Sequence, residues 1–106
     1  MVANAAPFLE PEETVHASAL VKGPLANYVL IATERNVYAL KLGGLGFSKV
    51  KEATLKIPLD EVIFAVTDNG IAIGRRDTDE KRGWQRMPFQ KVDELVAYLE
   101  QAAPKS

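Results

Sequence analysis

The stretch "YVLIATERNVYALKL", Tyr28 to Leu42, sets two runs of aliphatic, aromatic and β-branched residues on either side of one polar interruption. Two such runs joined by a short turn-forming segment read as an antiparallel hairpin. Thr33-Glu34-Arg35-Asn36 suits a type I turn followed by a left-handed residue, a conformation that asparagine tolerates better than most. Alternation along the second run puts Tyr38, Leu40 and Leu42 on one face and Val37, Ala39 and Lys41 on the other. The first set is assigned to the core.

The same period continues outward from this hairpin. Upstream, Thr14 to Val21 reads as a first strand, closed by the loop "KGPLAN" with Gly23, Pro24 and Asn27. Residues 1–7 are expected to be a disordered arm before a single domain over 8–103, with Pro11 in a short lead-in turn. Downstream, "KVKEATLKIPL" places Val50, Glu52, Thr54 and Lys56 on one side. Lys51, Ala53, Leu55 and Ile57 lie on the other, and Pro58 stops the ladder. "EVIFAVTDNGIAIGRR" is a second hairpin turning at Asp68-Asn69-Gly70, with Val62, Phe64 and Val66 on one face. "RRDTDEKRG" is a charged tip, and a last strand runs around Trp84 to Met87.

In "FQKVDELVAYLEQA" the period changes to 3.6. Phe89, Val92, Leu95, Val96 and Leu99 form one apolar stripe opposite Asp93, Glu94 and Glu100. The order is therefore about seven short antiparallel strands and one C-terminal helix. A sheet of that size bends and partly closes, leaving an end for the helix to plug.

At 106 residues the chain is of single-domain size. Apolar residues make up 47% and charged residues 25%, a composition that favours a folded domain over a disordered segment. Thirteen basic and fourteen acidic residues leave a net charge of -1, which argues against general nucleic-acid affinity. There is no cysteine, so thiol catalysis, thiolate zinc sites and disulfides are excluded, and a reducing cytoplasm fits. The N-terminus has no basic region followed by an apolar run of signal length, and no window approaches a spanning helix. A soluble, cytoplasmic protein is expected.

The chain resembles the bacterial pleckstrin-homology-like domains. "FLEPEETVHASA" resembles that family's acidic lead into its first strand, and "YVLIATERNVYAL" its hairpin of strands two and three. "LKIPLDEVIFAV" resembles the Ile-Pro step before strand five, and "FQKVDELVAYLEQA" the closing helix. The resemblance spans Phe8 to Ala103. It implies a mainly β fold, a bent seven-strand antiparallel barrel or roll capped by one C-terminal α-helix. It also implies a non-catalytic interaction module, with several relatives forming rings or other homo-oligomers. Eukaryotic relatives often bind phosphoinositides through a basic Lys-x-Arg cluster in the first hairpin loop; here "VKGPLAN" carries only Lys22.

Individual residues sharpen these expectations. "GGLGFSK" lacks the spacing and strand-to-helix setting of a phosphate loop, and strands flank it on both sides. Leu45 and Phe47, set among Gly43, Gly44 and Gly46, either fold back to finish the core or stand out as a candidate partner contact. His16 and Ser18 share a strand face without a visible acid to complete a triad, which makes a structural histidine the better reading. Asp77, Asp79 and Glu80 lack the glycine and terminal glutamate of a calcium loop. Trp84 is expected to pack under the helix. No cofactor, metal site or small-molecule substrate is indicated, and no enzyme is expected. The expected function is binding and assembly through protein contacts, including self-association, at Leu45, Phe47 and open sheet edges. The alternative is attachment to anionic lipid through Lys49, Lys51, Arg75 and Arg76.

Overall fold

The computed structural model describes residues 9–23, 26–43, 49–86 and 92–102, and for 49–52 and 86 the backbone alone. Seven strands form one antiparallel sheet: β1 (Val15–Lys22), β2 (Asn27–Thr33), β3 (Asn36–Gly43), β4 (Lys49–Pro58), β5 (Val62–Thr67), β6 (Gly70–Arg75) and β7 (Lys81–Arg86). A 3-10 turn, Leu59–Glu61, joins β4 to β5, and helix α1 (Asp93–Ala102) follows β7. The order across the sheet is β4-β3-β2-β1-β7-β6-β5. Two consecutive meanders are thus stitched by β1 and β7, which pair at Val21 with Arg86 and at Lys22 with Gln85. The sheet is not closed, and β4 and β5 are its edges.

Chain alternation builds the main core from the inner face of every strand. Ala17, Ala19 and Val21 of β1 meet Leu30 and Ala32, Val37 and Ala39, Leu55 and Ile57, Ile71 and Ile73, and Trp84. Val92, Leu95 and Leu99 bring the helix stripe into the same cluster, with Val96 and Tyr98 partly buried against it. Trp84 is buried in the same cluster, its indole tilted against the Tyr28 ring at 6.1 Å. The helix covers β1 and β2, and the Tyr98 hydroxyl donates to the Thr33 carbonyl at 2.9 Å.

Tyr38, Leu40 and Leu42 do not line this core. They face the other way and form a second buried cluster with Val29 and Ile31, against which Leu9, Val15 and Leu20 pack. Val37 and Ala39 take the inner positions. The second and third strands are therefore buried on both faces, a condition that removes the polar side from which alternation is normally read.

Two further expectations are corrected. Asn36 has no positive φ; the left-handed non-glycine residues are Glu12 (φ 69°) and Asp77 (φ 61°). The hairpin turn is instead held by the Thr33 hydroxyl, which accepts the backbone N–H groups of Arg35 at 3.1 Å and Asn36 at 3.0 Å. Along β4 the register shifts twice, between Ala39/Leu40 and Lys41/Leu42 of its partner strand. Each bulge resets the side-chain alternation, so Ala53 is exposed while Leu55 and Ile57 are buried.

Candidate interaction edge

The two sheet edges differ in chemistry. β4 carries Lys49, Lys51, Glu52 and Lys56, two bulges and a terminal proline. Charges, bulges and proline are the devices by which natural sheets keep an edge from pairing. Its Lys56 end is also occupied. The Lys56 ammonium sits 2.6 Å from Glu10, and Arg75 Nη2 donates to the Lys56 carbonyl at 3.3 Å.

β5 has none of these devices. Its six residues, Val-Ile-Phe-Ala-Val-Thr, include no charge and no proline. The pairing to β6 runs without a shift from Val62 opposite Arg75 to Thr67 opposite Gly70. Ile63 is 38% exposed and Val66 46%, the two large apolar side chains most open to solvent among the described residues. Gly70 explains how β6 can lie so close to β7 here. A Cβ at that position would fall 1.9 Å from the Trp84 carbonyl oxygen.

A polar latch sits at the opposite side of the sheet. The lead-in folds back so that the half-buried Glu13 carboxylate accepts hydrogen bonds from the Thr33 hydroxyl, the Tyr38 hydroxyl and Asn36 Nδ2, the last at 3.0 Å. Burial alone would push the Glu13 carboxyl up, but these three donors hold it below the usual carboxylate range. Burial, then the adjacent Glu13 carboxylate, raises the Tyr38 phenol. The Lys56 hydrogen bond lowers Glu10, and the Thr14 backbone N–H, 2.8 Å away, lowers Glu34. These groups fasten the segment before β1 to the hairpin turn.

The candidate residues from sequence fall in different places. Leu45 and Phe47 lie outside the described residues. Lys49 and Lys51 are at the far end of β4 from Lys56, which Arg75 touches. Seven residue steps along the strand separate Lys49 from Lys56, roughly 20 Å at the usual rise. The backbone therefore does not gather Lys49 with Arg75. Arg75 is engaged with acids, 3.3 Å from Glu80 and 3.9 Å from Glu61. The Arg76 backbone N–H donates to the Glu61 carbonyl at 2.7 Å, while its Nε and Nη2 are buried with no hydrogen-bond partner among the described residues.

Sequence reasoning missed an acid beside His16. Glu34 lies 3.9 Å from its Nε2, and the imidazole stacks on Tyr98 at 5.2 Å. The pair ties β1 to the turn and helix. Among the described residues no cluster of three or more histidines or carboxylates could hold a metal. A cleft of 510 Å³ opens beside Lys22, Thr67, Asn69, Trp84 and Gln85. Its described lining holds no carboxylate or histidine, and so offers no acid–base pair.

A single rolled antiparallel sheet of seven strands followed by a capping C-terminal helix is the pleckstrin-homology-like fold. The solved pleckstrin homology domain of Shewanella amazonensis has the same architecture, with a TM-score of 0.57 over 96% of this chain and 94% of that one. The two sequences are 15% identical, so the likeness is one of fold. No family model matches this sequence, and no curated protein does. No helix among the described residues is long and apolar enough to cross a membrane.

Proposed function

We propose that this domain is a non-catalytic binding and assembly module that works through protein contacts, including contacts between its own copies. The observation that carries the reading is β5, an uncharged edge strand that exposes Ile63 and Val66. Exposed edges of this composition are templates for another strand. The pleckstrin-homology-like fold supports the reading by analogy, since a shared fold does not assign a function. Leu45 and Phe47 stay with it as a further candidate contact. The absence of cysteine fits a cytoplasmic setting.

Attachment to anionic lipid through Lys49, Lys51, Arg75 and Arg76 is less well supported. Arg75 already faces Glu61 and Glu80, and the strand rise keeps Lys49 apart from it. Light scattering coupled to size exclusion, run from low to high protein concentration, tests the first reading. The weight-average mass rises above that of one chain if copies assemble. Sedimentation with anionic vesicles runs beside it. Strong low-salt binding that falls as salt rises would favour lipid instead.

A further inference from the structure

We propose that two copies of this chain pair edge to edge through β5, antiparallel, about a two-fold axis. The proposal rests on the self-association reading and names its surface. A sheet edge selects the conformation of its occupant, because the outward row of N–H and C=O groups is satisfied only by another extended strand. Of the two edges this chain offers, β4 is charged, doubly bulged and ended by Pro58, with Arg75 on its Lys56 carbonyl. A contact between β5 of one copy and β4 of the next would have to displace that arginine and match the bulges. A contact between β5 and β5 requires neither.

Self-pairing also suits the charge pattern, since a strand without charges meets its own copy without like-charge repulsion. The resulting interface is isologous and closes at two copies, where a β5-to-β4 contact would propagate into a ring or filament. Side-chain alternation keeps Ile63 and Ala65 of both copies on one face of a continuous sheet. A six-residue strand pair buries less than the roughly 1,200–2,000 Å² of stable interfaces, so the dimer is weak and depends on concentration.

The absence of cysteine makes a direct test available. Ala65→Cys puts the chain's sole thiol on the exposed edge near the two-fold axis. Under mild oxidation the full chain should form a covalent dimer, while Ser18→Cys, exposed on an inner strand opposite Ile31, stays monomeric. Ile63→Lys should shift the light-scattering mass toward one chain at equal concentration, with an unchanged circular dichroism spectrum. Mixing Ile63→Lys with Ile63→Glu should restore the dimer. If the parent assembles but Ile63→Lys has no effect and Ala65→Cys does not cross-link, β5 pairing is wrong and the assembly reading stands. A light-scattering mass of the parent that climbs past two chains as concentration rises would overturn the two-fold closure. A parent that is monomeric at every concentration overturns both.

Discussion

Glu13 is the residue on which the lead-in depends. It is preceded by Pro11 and the left-handed Glu12, and its carboxylate takes donors from three residues of the hairpin. Hydrogen bonds to a charged group contribute about 1.5–3 kcal/mol, and Glu13→Gln should lower unfolding stability at neutral pH by about that much. The pH dependence has a definite sign. A carboxyl held below its unfolded value of about 4.3 contributes stability that is fully present above that value. The contribution is lost as pH falls through the lower folded value. Denaturant midpoints should therefore stay level from neutral pH to about 5 and drop below it, and Glu13→Gln should flatten that drop. None of this was legible in "PEE". The partners are 20, 23 and 25 residues away, and only the folded hairpin brings them to Glu13.

Among the elements, helix α1 shows most clearly what a sequence pattern can specify. Its apolar stripe predicts Val92, Leu95 and Leu99 as buried, and all three lie in the main core at 1% exposure or less. Leu99→Ala should cost about 2–5 kcal/mol, the range for a core leucine, read as a lower midpoint in denaturant. An unchanged midpoint would mean that the stripe packs on something other than the sheet. Both hairpins were equally legible, because turn residues interrupt alternating runs within a few positions. The face assignment of β3 was not legible. Its two faces are both apolar, so alternation finds two cores and cannot rank them. The bulges of β4 escaped for a related reason. "KVKEATLKIPL" alternates smoothly in sequence, and it is pairing with β3 that inserts the extra residues. The free edge of β5 also emerges only from the long-range pairing of β1 with β7, although its lack of charge was in plain view.

Across the whole molecule, one design feature separates the two ends of the sheet order. The β4 end is defended by lysines, bulges, a proline and an arginine drawn across from β6, while the β5 end is left apolar and regular. Such asymmetry limits the ways copies can meet by strand addition, and it favours a closed pair over a chain of copies. The central claim, that β5 is where copies meet, is tested most directly by backbone amide exchange followed over a series of protein concentrations. Amides of Val62–Thr67 that face away from β6 should slow as concentration rises, while β4 and the β1–β2 pairing keep their rates. A rising mass with unchanged β5 exchange, or protection that grows along β4 instead, would contradict the account.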